Sequence, residues 1–308
     1  MGYTVVERNV RSSDKVHTLK GKMYIPDGEI KAILHIVHGM CEHIGRYDAF
    51  MRLMAEDGYL VCGYNHVGHA GTSEKAEYGF INEDDGAAVL VNDCALFAEG
   101  LIKEYPGKKF ILMGHSMGSF VVRLAASRLG DRLDALIVMG TGGPNPAAKA
   151  GIAIAKTMIK LGRGRKVSGF LDSMCFGKYN SRTDNVTKYD WLTHDGDIIA
   201  EHLEDKDCDF SFTVSAMRDL IRMNYDSNKK ECLDSYEDRL PILLISGDED
   251  PVGDYGKGVV KVYDSLVRLG KNVKLKLCPG MRHEVLNETG REQVMEYLRG
   301  YCGETVNG

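Results

Sequence analysis

The sequence predicts an α/β protein: a doubly wound, mostly parallel sheet with an inserted helical cap. Three observations lead there. Short apolar runs alternate with segments of helical periodicity, as strands and crossover helices do in a parallel sheet. One such run, Phe110 to Met113, passes directly into GHSMGS and then into a helix-patterned stretch. Finally, from about Gly143 to Asp238 no strand-like run occurs between two clear ones, far more chain than a crossover of roughly a dozen residues needs.

The elements follow in order. Tyr3 to Asn9 and Val16 to Tyr24 read as an antiparallel pair around the turn signal RSSDK, added at the sheet's edge. Ala32 to Val37, Tyr59 to Tyr64, Phe110 to Met113, Ala135 to Met139, Ile242 to Ile245 and Val273 to Leu277 read as the buried strands. Asp48 to Ala55, Ala87 to Lys103, Phe120 to Leu129, Gly258 to Leu269 and Arg291 to Leu298 read as helices, and Gly303 to Gly308 as a frayed tail. At 308 residues, 44% of them hydrophobic, the chain suits one large core interrupted by an insertion. The expected division is core 1–142, helical cap 143–238 and core 239–308. The cap holds Trp191, the chain's only tryptophan, with Phe170, Met174, Phe176, Tyr179, Phe210, Phe212 and Met217. Most of these are expected to form the cap's own core and the rest to line a pocket.

A net charge of −5 gives no basic face for phosphate backbones, so nucleic acid is not an expected partner. The opening MGYTVVERNV is charged where a signal peptide would be apolar, and no run reaches membrane-spanning length. A soluble cytoplasmic protein is expected. Cys41, Cys62, Cys94, Cys175, Cys208, Cys232, Cys278 and Cys302 are scattered without C-x-x-C spacing, which suits buried free thiols in a reducing compartment.

Ser116 sits between Gly114 and Gly118 at a strand-to-helix handover. A serine hydroxyl is a weak nucleophile unless it is lifted clear of the backbone and placed beside a base, and a G-x-S-x-G elbow does the lifting. Chain order in such elbows is serine, acid, histidine. His283 is the only histidine beyond the strand Ile242 to Ile245, which makes it the base by elimination. The acid comes from ISGDEDPVG, where Asp248, Glu249 and Asp250 compete. Asp250 is favoured because Pro251 stiffens the loop behind it, with Asp248 second. The N–H of Met117, next to the nucleophile, and that of Met40, in HGMCEH after the first parallel strand, are the expected oxyanion donors. His38, Glu42 and His43 are read as hydrogen-bonding supports for that loop. The complete set needs neither metal nor cofactor.

With GHSMGS, HGMCEH, YNHVGHAGTSE, GDEDPVG and PGMRHE in place, the chain resembles the serine-hydrolase branch of the α/β-hydrolase family, and is most similar to its monoacylglycerol lipase and lysophospholipase group. The likeness spans the whole chain, with the cap in the same place and His66 to Ser73 matching that group's histidine- and glycine-rich segment. It implies an α/β-hydrolase fold, the triad Ser116, Asp250 and His283, oxyanion donors at Met40 and Met117, and hydrolysis of monoacylglycerol- or lysophospholipid-like esters. The chain departs from the group's pattern at Met40-Cys41, where two small residues are usual and a bulkier loop would narrow the acyl pocket, and at Ser119, where a second glycine is usual.

Three other functions fit parts of the same pattern. A short-chain carboxylesterase or thioesterase would use identical residues. An aminopeptidase of this fold would need cap carboxylates to grip an amine, and Glu204 to Asp209 (EDKDCD) reads instead as a solvated loop. A non-catalytic binding protein would lack part of the triad. In the cap, the stretch from Ala147 reads as one amphipathic helix: Lys149, Lys156, Lys160 and Arg163 on one side, Ile154, Met158 and Leu161 opposite, Ile152 and Ile159 on a flank. Its apolar side is expected to pack on the protein, or else to border the acyl entrance while the basic side makes transient contact with a membrane surface.

Overall fold

The computed structural model describes residues 2–307. Its strands are β1 (Tyr3–Arg11), β2 (Thr18–Pro26), β3 (Ala32–Val37), β4 (Leu60–Asn65), β5 (Lys109–His115), β6 (Ala135–Met139), β7 (Ile242–Gly247) and β8 (Val273–Cys278). They form one sheet in the order β1-β2-β4-β3-β5-β6-β7-β8. β2 pairs antiparallel with both β1 and β4, and every other pairing is parallel. The helices are α1 (Asp48–Glu56), α2 (Gly86–Glu104), α3 (Met117–Leu129), α4 (Ala148–Met158), α5 (Gly169–Phe176), α6 (Gly196–Glu204), α7 (Val214–Ser227), α8 (Lys230–Asp234), α9 (Lys257–Arg268) and α10 (Arg291–Asn307).

Side chains alternate across β3, so its residues feed two cores. Ile33 and Val37 join Leu90 and Phe97 of α2, Val121 of α3 and Val262 of α9 on one face. Leu34 and Ile36 join Phe50 and Met54 of α1 and Leu298 of α10 on the other. Both faces being covered explains why β3 to β7 read as unbroken apolar runs. The tail differs from expectation: α10 continues to Asn307 because Tyr301 and Cys302 are buried against the second core. Gly308 lies outside the described residues.

Five helices, α4 to α8, lie between β6 and β7. One attachment runs through Arg123 of α3, which is buried and, among the described residues, forms no ion pair. Its guanidinium donates to the Ser227 carbonyl (2.6 Å) and Asn228 Oδ1 (3.0 Å). A cation is thus set against the C-terminus of α7, where the helix dipole favours positive charge. α3 begins at the serine elbow, so the same helix carries both the elbow and the insert.

The segment from Ala147 is not the single helix expected. α4 runs only to Met158, a wide turn follows, and Leu161 (ψ 17°) and Gly162 (φ 72°) leave helical geometry. Nor does the whole Ile154, Met158 and Leu161 side pack: of the three only Met158 lies against the core. The buried positions are Ala148, Gly151 and Ala155, a stripe of small residues that lets the backbone of α4 approach α7 closely. Ile154 stays 36% exposed and Leu161 73%. Phe170, expected inside the insert, is 64% exposed, whereas Phe212 and Met217 are buried as expected.

Candidate active site

Ser116 occupies the turn between β5 and α3 with φ 53° and ψ −120°, a conformation that costs a non-glycine residue on the order of 1–3 kcal/mol. The surroundings leave the turn no alternative. A Cβ on Gly118 would lie 2.1 Å from the Val37 carbonyl oxygen, and one on Gly114 would lie 2.3 Å from that of Gly118. Ser116 N–H donates to Met139 O (3.0 Å). Ser119, the departure from a glycine, uses its hydroxyl: Oγ bridges the Ser116 carbonyl (2.5 Å) and Thr141 Oγ1 (2.8 Å).

The structure brings His283 and Asp250 together. His283 Nδ1 donates to Asp250 Oδ2 (3.0 Å), and both residues are at most 1% exposed. Ser246 Oγ donates to the same oxygen (3.2 Å), while Asp250 Oδ1 accepts from Val252 N–H (2.8 Å), which fixes the carboxylate's plane. β7 and the His283 loop meet at Gly247, where a Cβ would lie 2.0 Å from the Met281 carbonyl oxygen. Asp248 and Glu249 point elsewhere. Asp248 Oδ1 accepts from Gly280 N–H (2.7 Å), and Glu249 pairs with His194 (3.2 Å).

Ser116, His283 and Met40 line one cavity of about 500 Å³. Met117 N–H belongs to the first turn of α3, where amides have no partner within the helix. Apolar groups in the wall include Phe120, Met174, Phe176, Leu220 and Ile221. Trp191 also lines it, its ring centroid 5.0 Å from that of His283. Sequence reasoning had left that side chain undecided between core and pocket.

The loop after β3 is held by the residues assigned to it. Glu42 Oε1 accepts from Gly39 N–H, from Tyr47 Oη (2.9 Å) and from His115 Nδ1 (3.2 Å). Burial opposes the Glu42 charge, but the hydrogen bond and charge of His115 and the charge of Arg46 outweigh it and hold the carboxyl below its ordinary range. His38 Nε2 accepts from His66 N–H (3.0 Å), so its Nδ1 carries the proton and donates to Gly39 O (2.8 Å). His66 Nε2 donates to His38 O (3.1 Å), and His69 Nε2 accepts from Cys41 N–H (3.2 Å). Burial pushes His66 down to about 3 and His69 down to about 4. These rings therefore act as neutral hydrogen-bonding groups.

His43 reaches the insert: its Nε2 donates to Asp205 Oδ2 (2.8 Å), while its Nδ1 accepts from Gly45 N–H (3.1 Å). The expected solvated loop at Glu204 to Asp209 is thus partly a contact, with Cys208 fully buried beside Asp205. Three residues escaped the sequence reading. Arg46 forms a bidentate pair with Glu284 (2.6 and 2.8 Å), a partner 238 positions away, and Glu284 adjoins His283. The pair had no local signal. His115 had one, since it lies inside the elbow motif.

The family described as serine aminopeptidase, S33 matches residues 28–290. The chain belongs to that α/β-hydrolase family. Monoglyceride lipase of Rattus norvegicus is 24% identical over 279 residues, covering 85% of this chain and 82% of the relative. Monoacylglycerol lipase of Mycolicibacterium smegmatis is 24% identical over 89% of each chain. Among solved structures, a thermostable carboxyl esterase from Bacillus coagulans in complex with glycerol superposes with a TM-score of 0.93 at 29% identity, over 98% of this chain and 99% of that one. The protein is accordingly a lipase-like hydrolase with esterase or lipase activity. None of its described helices is long and apolar enough to cross a membrane.

Arg46 is the cation between two buried carboxylates, Glu284 and Glu42. Replacing it by methionine leaves like charges facing each other, and is expected to cost about 3–5 kcal/mol of stability at pH 7.5. Glu284 is held below its ordinary range against burial by Arg46, so its contribution is present above the unfolded carboxyl value and lost as pH falls. The deficit of Arg46→Met should therefore shrink at pH 4.5. Urea midpoints at both pH values measure it, and an equal deficit at both would contradict the assignment.

Proposed function

We propose that the protein hydrolyses carboxylic esters by a Ser116-Asp250-His283 triad through an acyl-enzyme, with long-chain monoacylglycerol- or lysophospholipid-like esters as substrates. The observation that carries this reading is the buried Asp250–His283 hydrogen bond opening on the same cavity as a serine held in an elbow. His283 takes the Ser116 proton as the oxygen attacks the ester carbonyl, and Asp250 keeps the ring in the tautomer whose Nε2 can accept it. The N–H groups of Met40 and Met117 hold the developing oxyanion. His283 then protonates the leaving alcohol, and water, deprotonated by the same ring, releases the acid.

The apolar wall formed by Phe120, Met174, Phe176, Leu220 and Ile221 supports a long acyl chain over a short one. An aminopeptidase reading finds less support, because none of Glu204 to Asp209 lies in the cavity wall. In this reading the inserted segment, residues 143–238, works as a cap over the site. Its exposed Leu161, Val167 and Phe170, near Lys156, Lys160, Arg163 and Lys166 in sequence, support transient docking on anionic lipid surfaces. The eight free cysteines fit a cytoplasmic setting.

Ser116→Ala should stay folded and lose roughly 10⁴ to 10⁶ in kcat, since triad members act as a unit. A fluorophosphonate probe should label the wild type alone, and labelling of the variant would refute the nucleophile. Asp250→Asn should cost far more activity than Asp248→Asn, which lacks contact with the imidazole; equal losses would move the acid. For the cap, Lys156→Glu with Lys160→Glu should leave a soluble butyrate ester unaffected. The same variant should lose turnover of long-chain monoacylglycerol on anionic vesicles, and by less as salt is added. Unchanged vesicle turnover would remove the docking role.

A further inference from the structure

Each ring nitrogen of His115 faces an oxygen acceptor. Nδ1 lies 3.2 Å from Glu42 Oε1, and Nε2 lies 3.3 Å from the backbone carbonyl of His283. A neutral imidazole has one N–H and can donate to one of them, whereas an imidazolium donates to both. The ring is 4% exposed, so solvent has little access to supply the second bond.

The charges around the ring lead to the same state. Glu42 approaches from the loop after β3, and Glu284 and His283 from the loop after β8. Arg46 lies between the two carboxylates, 3.6 Å from Glu42 and 2.6 Å from Glu284. The remaining neighbour, Tyr47, stays neutral, its hydroxyl pushed well up by burial and by Glu42. Two carboxylates against one guanidinium leave one uncompensated negative charge in a buried cluster, an arrangement that is expensive unless a cation completes it.

We propose that His115 is that cation: an imidazolium that ties the loop bearing Met40 to the loop bearing His283, and so a positioning residue for the ester hydrolysis proposed above, on which this inference rests. Burial alone would lower His115, but the Glu42 hydrogen bond and charge, the Glu284 charge and the His283 carbonyl outweigh it and raise it above 6.5. A raised histidine contributes fully below its unfolded value and loses that contribution as pH rises through the folded one. When the proton leaves, one of the two bonds loses its donor. The ring lies 4.6 Å from that of His283, centroid to centroid, so the base loses its alignment with Ser116. Deprotonation of His115 therefore sets the alkaline limit of activity.

The test uses the full-length protein in two arms. In the first, the imidazole signals of the Ser116→Ala protein are titrated by NMR, with His115 assigned by the signal missing from His115→Gln. A midpoint above 6.5 is expected, and one at or below 6.5 overturns the proposal. In the second, kcat/KM for p-nitrophenyl butyrate is followed from pH 5 to 10 with the spontaneous rate subtracted. Wild type should fall roughly tenfold or more on the alkaline side as one group ionises. His115→Gln keeps a donor but cannot titrate; it should start lower at pH 7 and lack the alkaline fall. An alkaline limb of unchanged midpoint in that variant overturns the proposal, and His115→Asn replaces it if the glutamine protein does not fold. A wild type without ester turnover would sink the catalytic reading, yet a midpoint above 6.5 in the first arm would still support the bridge.

Discussion

Glu42 is 4% exposed and sits where three loops converge. Burying a carboxylate costs several kcal/mol unless donors surround it, and here the donors are the pieces of the site itself. Gly39 brings the loop that carries Met40, His115 brings the serine elbow, and Tyr47 brings the start of α1. Arg46 carries the network on to Glu284, next to His283. The elbow of Ser116, the loop of Met40 and the loop of His283 are therefore assembled around one charge cluster, and apolar packing supplies the frame on which the cluster is hung. One residue further on, His43 extends the arrangement to Asp205 of the insert. Any movement of the insert is thus mechanically connected to the loop beside Ser116.

Sheet geometry makes that cluster reachable. The five parallel pairings bring the carboxyl ends of β3, β5, β6 and β7 into one row, the edge where ligands bind in open α/β sheets. At two points the backbones then come closer than a side chain would permit. Gly118 lies against Val37, and Gly247 against Met281. These contacts let the strands that lead into Ser116 and Asp250 share a rim with the loops of Met40 and His283.

The strands were legible because a sheet buried on both faces demands continuous apolar runs, and the elbow because its glycines answer a local steric need. Chain order along that sheet singled out His283 and Pro251 favoured Asp250 over Asp248, and these two side chains, His283 and Asp250, share a hydrogen bond. The reading of the segment from Ala147 failed for a physical reason: a helical wheel assumes that the largest apolar groups turn inward. α4 packs closely on α7 through Ala148, Gly151 and Ala155 instead, leaving Ile154 and Leu161 toward the outside. Arg46 and Glu284 were illegible because nothing at either position signals a partner 238 residues away. His115 was hidden differently: its role depends on what two distant loops place at its nitrogens.

Histidine usually brings pH sensitivity, yet the rings of His35, His38, His66 and His69 are kept neutral by burial. As wiring, His38, His66 and His69 are dependable through the neutral range, because none changes charge there. Their weakness lies below it. Between the unfolded value near 6.5 and folded values pushed down to about 3 for His35 and His66 and about 4 for His69, the unfolded chain takes up protons that the folded one refuses, and each such ring adds to the loss of stability. In most proteins, acid failure begins with carboxylates giving up their partners. Here imidazoles add to that loss, and three of the four stand in or beside the loop of Met40, so part of the fold's sensitivity to acid is placed next to Ser116.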